Sequence, residues 1–289
     1  EEGAEEAAGL GPDAPGPAWR LEAARAAAPG LQWAAVPYAD GDVPLTGFLW
    51  WDSAAPGPRP AVLVFPDWDG TNEFELQQAA RLAAEGYAAF NADVYGDGVP
   101  QRPPEGPVPI PERVAQIGAL RADPEVYRRR LLASVEALAA LPPNLTDVVD
   151  SAAPPAALGF CFGGTSVLEL ARAEAGLSAV MSFHGAPLAP VGAPMPPQGG
   201  AGPYVVVYNG AEDASVPPGD LAGFAAEMSN ASARWELHDF YGARHAFTEP
   251  AFINASLANP QSPVEYSEHA DRRSWESTLG LLALNFGRA

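Results

Sequence analysis

Three residue types that together can cleave an acyl bond occur in this chain in the order thiol, acid, imidazole: Cys161, Asp213 and His245. Cys161 lies in Gly159-Phe-Cys161-Phe-Gly163-Gly164, after an apolar run at 156–160 and before a helical pattern at 164–175. A nucleophile held in a tight strand-to-helix turn needs small residues two places before and after it, because the backbones there come into contact. The turn lifts the side chain above the sheet, and the helix N-terminus beyond it offers N–H groups and a positive potential to an anion. In isolation a single cysteine is usually a small hydrophobe. The strand before it and the helix after it make Cys161 a nucleophile candidate.

A thiol nucleophile needs a base, and the base needs an orienting acid. The histidines are His184, His238, His245 and His269. His245 follows the strand pattern at 234–239, in a loop that leaves a strand's carboxyl end and so faces the crevice of an open sheet. His238 falls inside that strand, and His269 reads as a solvated residue near the last helix. His184 ends the strand at 179–183 and is expected as a pocket wall. Asp213 follows the strand at 204–208 in Asn209-Gly-Ala-Glu-Asp213, with Glu212 as its neighbouring rival. An Asp in such a loop is commonly a turn former. The order Cys161, Asp213, His245, each at a strand's carboxyl end, is that of the α/β-hydrolase triad.

The elements that would position these residues alternate. Apolar runs at 45–51, 60–66, 87–91, 156–160, 179–183, 204–208 and 234–239 read as strands. Helical spacing appears at 72–85, 124–141, 164–175, 220–228 and 272–286. This pattern predicts an α/β fold: a mostly parallel sheet flanked by helices on both faces. Residues 97–111 and 186–203 are Pro/Gly-rich loops within one domain at 31–289, and 1–30 form an acidic Ala/Gly/Pro-rich extension.

These segments together resemble the dienelactone hydrolase family of the α/β-hydrolase superfamily, from about Pro37 to Phe286. The resemblance rests on Val64-Phe-Pro-Asp67-Trp-Asp-Gly70, Asp93-Val-Tyr-Gly-Asp-Gly98, the Cys161 turn, Gly210-Ala-Glu-Asp213 and His245-Ala-Phe247. It implies Cys161 as nucleophile, His245 as general base and acid, and Asp213 as the group orienting the imidazole. It also implies a carboxylate that holds or deprotonates the thiol. Asp67 occupies that place where a Glu is more usual, one methylene shorter. The N–H groups of Trp68 and Phe162 would form the oxyanion hole. Tyr95, His184 and Phe247 would line the substrate pocket. Relatives that cleave dienelactones grip the substrate carboxylate with arginines. Asp97 and Glu249 stand at those places here, with Arg102 and Arg244 out of register. The expected substrate is therefore a neutral ester or lactone, cleaved through a cysteine thioester.

Composition narrows the alternatives. Of 289 residues, 16 are basic and 36 acidic, a net charge of −20 without a single Lys, which disfavours nucleic acid and anionic membrane surfaces as partners. No run approaches a membrane span. One cysteine precludes an intrachain disulfide and a Cys-rich zinc site, and the triad chemistry calls for no metal or organic cofactor. Sequons at Asn144, Asn230 and Asn254, with a chain beginning at Glu1, lean towards a secreted or lumenal protein over a cytoplasmic or organellar one. The alternative function is a catalytically idle α/β-hydrolase fold serving as a binding or structural subunit of such an assembly. A redox sensor would lack a resolving cysteine in the same chain.

Overall fold

The computed structural model describes residues 28–96 and 110–288. Most of the expected extension, together with Asp97 and Arg102, lies outside the described residues. Eight strands form one sheet in the order β1-β2-β4-β3-β5-β6-β7-β8. They are β1 (Leu31–Asp40), β2 (Val43–Asp52), β3 (Ala61–Phe65), β4 (Ala88–Asn91), β5 (Ala156–Phe160), β6 (Ala179–Phe183), β7 (Tyr204–Gly210) and β8 (Arg234–Phe240). β1 and β2 are antiparallel to their neighbours, and every pairing from β4 through β8 is parallel. The helices are α1 (Glu73–Ala84), α2 (Ile110–Ala122), α3 (Pro124–Ala139), α4 (Phe162–Arg172), α5 (Pro218–Asn230), the short α6 (Ala255–Ala258) and α7 (Glu268–Asn285). This is the α/β-hydrolase architecture expected from the sequence.

The central strands are buried on both faces, which explains their unbroken apolar runs. Alternate residues of β3 serve opposite layers. Leu63 and Phe65 join the layer that holds Leu131 of α3, Leu168 of α4 and Phe224 of α5. Val62 and Val64 join the layer that holds Leu76 of α1 and Leu282 of α7. Burying each such side chain contributes roughly 1.5–3 kcal/mol. Local signals set the helix ends. The Asn72 side chain accepts the Phe74 N–H at 2.7 Å, and Glu75 returns to the Asn72 N–H at 2.9 Å, a capping box that starts α1. Asp123 accepts the Val126 N–H at 3.1 Å with Pro124 in the first turn, which separates α3 from α2.

Three of these elements escaped the sequence reading: β1, α2 and the short α6. β1 carries Pro37 and mixed polarity, and it is an edge strand, where a missing N–H is tolerated. Its hairpin to β2 turns through Gly41-Asp42, with Gly41 at φ 60°. α2 begins at Ile110, inside the stretch read as a Pro-rich loop. No helix among the described residues is long and apolar enough to cross a membrane.

Candidate active site

Parallel strands aim their carboxyl ends at one edge of the sheet, and the chemistry-bearing residues collect there. Cys161 follows β5 with φ 50° and ψ −111°, outside the comfortable regions for an L-residue; such strain costs about 1–3 kcal/mol and must be held by its surroundings. Gly159 and Gly163 allow the turn. A Cβ on Gly159 would sit 2.1 Å from the Gly163 carbonyl oxygen, and one on Gly163 would sit 2.3 Å from the Phe65 carbonyl oxygen. The thiol is half-buried.

His245 arrives from the loop after β8, its Nε2 3.1 Å from Cys161 Sγ. Its Nδ1 lies 2.7 Å from Asp213 Oδ2, in the loop after β7. Asp213 is fully buried at its side chain, and its Oδ1 accepts the Ser215 N–H at 2.8 Å. Burial opposes a charge on the imidazole. Hydrogen bonds with Asp213 and Cys161, and the negative charge of both, outweigh it and raise the His245 pKa from 6.5 to about 10. The rival Glu212 is exposed and pairs loosely with Arg244 at 3.8 Å. His238 is tied to Glu236 at 2.8 Å on the edge strand, and His269 is exposed at the start of α7. The geometry thus brings Cys161, His245 and Asp213, and neither of those two histidines, into one line.

The loop from β3 to α1 runs beside this line. Asp67 is buried, and its Oδ1 accepts the Asp69 N–H at 3.0 Å, closing its own loop. Among the described residues it makes no hydrogen bond to Cys161. Burial first, and then the charge of Glu75, push the Asp67 carboxyl well above the usual carboxylate range. Glu75 itself was missed as a site residue, although the Asn72–Glu75 spacing could have signalled it. It is fully buried, and it accepts the Asp67 N–H at 3.2 Å and the Asn72 N–H at 2.9 Å. Its pKa is also pushed well up, by burial and then by Asp69. Trp68 is half-buried, and its carbonyl accepts the Tyr95 hydroxyl at 3.2 Å. Glu249 is half-buried; burial first, then Asp69, raise its pKa from 4.5 to about 8, with His245 pulling the other way.

Of the expected pocket residues, Tyr95 is half-buried, stacked on Phe162 and covered by the Arg113 guanidinium 4.1 Å from its ring centre. Phe162 is buried, with Tyr127 stacked on it. His184 and Phe247 correct the sequence reading. Both are 0% exposed, with ring centres 5.1 Å apart, so they pack against each other and not along an open pocket wall. Arg244 donates to the Ser262 carbonyl at 2.9 Å. Asn144, Asn230 and Asn254 are all exposed. A cavity of about 490 Å³ between the 189–197 loop and α5 includes no triad residue in its lining. No group of three or more His, Cys, Asp or Glu able to hold a metal occurs among the described residues.

With this geometry in view, known proteins sharing the sequence and fold can be compared. Over 128 residues the chain is 34% identical to an uncharacterized protein of Caenorhabditis elegans, covering 44% of this chain and 77% of that one. Its structure resembles a dienelactone hydrolase-like promiscuous phosphotriesterase from metagenomic libraries, with a TM-score of 0.73, 30% identity, and 88% and 98% of the two chains covered. A putative dienelactone hydrolase from Klebsiella pneumoniae shares the fold at 21% identity, with a TM-score of 0.65 over 86% of this chain and 97% of that one. The family model for dienelactone hydrolases matches residues 46–285, from the second strand to the end of the last helix. The chain belongs to the dienelactone hydrolase family, and its fold is that of a hydrolase.

Proposed function

We propose that the protein hydrolyses a neutral carboxylic ester or lactone through a thioester on Cys161. The observation that carries this reading is the line from Cys161 Sγ to His245 Nε2 at 3.1 Å and from His245 Nδ1 to Asp213 Oδ2 at 2.7 Å. The Cys161 thiolate attacks the carbonyl carbon, and the N–H groups of Trp68 and Phe162 receive the oxyanion. Each such donor is worth roughly 2.7–4 kcal/mol in the transition state. The tetrahedral intermediate collapses to the thioester as the carbon–oxygen bond breaks and His245 gives its proton to the leaving alkoxide. A water then attacks the thioester, with His245 taking its proton. The carboxylic acid leaves, and the sulfur again pairs with the protonated imidazole. Asp213 holds the ring in the tautomer this requires.

Two observations favour a substrate without a carboxylate. Glu249 stands four residues beyond His245, close enough to influence its charge, and opposes an anionic substrate as it ionises with pH rising through about 8. The phosphotriesterase relative, by its name, acts on uncharged esters. The test is turnover of p-nitrophenyl acetate, with mass spectrometry of the protein quenched early in the reaction. An acetyl group on Cys161, absent from Cys161→Ala, is expected. Alkylation of Cys161 without turnover of this ester or of simple lactones would favour the idle, subunit-like reading.

A further inference from the structure

His184 is fully buried, yet it bonds through both ring nitrogens. It follows β6 at φ 39°, and its backbone N–H donates to the Tyr208 carbonyl at 2.8 Å, so the turn is anchored to β7. The Cys161 N–H is shared between the Phe183 carbonyl at 3.0 Å and His184 Nδ1 at 3.2 Å. A ring nitrogen that accepts carries no proton, which places the proton of the neutral ring on Nε2. From there it is donated to Thr248 Oγ1 at 2.8 Å. Thr248 is itself buried, three residues after His245. Burial first, and then the neighbouring His245 charge, hold the His184 pKa well below its ordinary value. The two imidazoles meet edge to face, with centres 5.2 Å apart.

We infer that His184 is a positioning residue, a neutral imidazole bridging the nucleophile's backbone and the loop that carries the base. Cys161 and His245 are thus linked twice: by the Sγ–Nε2 contact, and by the path from Cys161 N–H through His184 to Thr248. The inference rests on the thioester reading above and deepens it. Once the sulfur is acylated it no longer exchanges a proton with His245, and the direct link is gone. The path through His184 touches neither the sulfur nor the base's nitrogens, so it survives acylation. It keeps His245 in register with the thioester carbonyl while water is activated. Thioester decay should therefore depend on this bridge more than thioester formation does.

The experiment uses the full chain with p-nitrophenyl acetate, following the burst, the steady state and the acetylated protein by mass spectrometry. Thr248→Val keeps the side-chain shape but leaves His184 Nε2–H without its acceptor. Its kcat should fall about tenfold with acetyl-enzyme accumulating, while kcat/KM, which reports acylation, changes by less than about threefold. Thr248→Ser restores the hydroxyl and should return kcat to within about twofold of the wild type. Should Thr248→Val fail to fold, His184→Asn takes its place, since its amide oxygen can stand where Nδ1 accepts from Cys161 while the arm to Thr248 is lost. The same slow decay is then expected. Equal decay rates in the wild type and whichever variant folds, or kcat and kcat/KM falling in parallel, would overturn the bridge. If no acetyl-enzyme forms in the wild type, the thioester mechanism itself fails, a result distinct from a thioester whose decay ignores Thr248.

Discussion

Replacing Asp213 by Asn should narrow the pH range of the enzyme from the alkaline side. Asp213 Oδ2 lies 2.7 Å from His245 Nδ1, with its side chain closed to solvent. The rise of the His245 pKa from 6.5 to about 10 is achieved against burial by two partners, Asp213 and Cys161. At about 1.36 kcal/mol per pH unit, that rise favours the imidazolium by roughly 5 kcal/mol. Loss of the Asp213 charge leaves Cys161 alone to oppose burial and so lowers the imidazole pKa. His245 must be protonated to release the alkoxide, so the alkaline limb of kcat/KM moves down with it. Asn also offers an N–H to Nδ1 and so competes for the wrong tautomer. A thiol relies less on that orientation than a hydroxyl does, and the expected loss at neutral pH is roughly 10–100-fold. The assay is kcat/KM for an uncharged ester from about pH 6 to 10.5 in wild type and Asp213→Asn, with the rate of Cys161 alkylation by iodoacetamide over the same range. An alkaline limb that does not move, with activity retained, would refute both the acid assignment and the cause given for the raised imidazole pKa.

Cys161→Ala and His245→Ala should each lower esterase activity by about 100-fold or more, because triad members act as a unit; near-full kcat in His245→Ala would mean another base. Gly163→Ala should lower the melting temperature by several degrees and cost activity at temperatures where it remains folded, since its Cβ would lie 2.3 Å from the Phe65 carbonyl oxygen; an unchanged melting curve would contradict the close contact. With Glu249 titrating near about 8, a carboxylate-bearing lactone should lose ground to its methyl ester as pH rises through that value. The handicap should reach roughly tenfold in kcat/KM and be absent in Glu249→Gln, and a preference that ignores pH would remove Glu249 from the pocket mouth.

The elements nearest the chemistry were the most readable. β5, Cys161 and the glycines around it announce themselves because the turn is sterically demanding and few residue types satisfy it. Asp213 and His245 followed from topology, since parallel strands deliver their loops to one edge. Burial was harder to see. His184 looked like a pocket wall from its place after a strand and Phe247 from its aromatic ring beside His245, and only three-dimensional packing shows rings closed in by one another and by Phe240. The contact of Glu75 with Asn72 was written in the capping spacing, but nothing in the sequence says that the same side chain also accepts the Asp67 N–H. β1 was hidden by Pro37 and α2 by the prolines before it, because local propensity cannot weigh an edge position or a helix that starts late.

The buried carboxyls beside the triad also make folding a reaction with the solvent's protons. Asp67, Glu75 and Glu249 all hold protons more tightly in the folded chain than in the unfolded one, and His245 does the same. Near neutral pH the chain therefore takes up protons as it folds. The stabilisation from Glu249 is full below 4.5 and is lost as pH rises towards about 8; that from His245 is full below 6.5 and is lost towards about 10. Heat measured on unfolding should consequently include the ionisation heat of whatever buffer accepts those protons. Phosphate and Tris at one pH should return different apparent enthalpies for the same molecule, and the difference counts the protons that the active-site edge had withdrawn from solution.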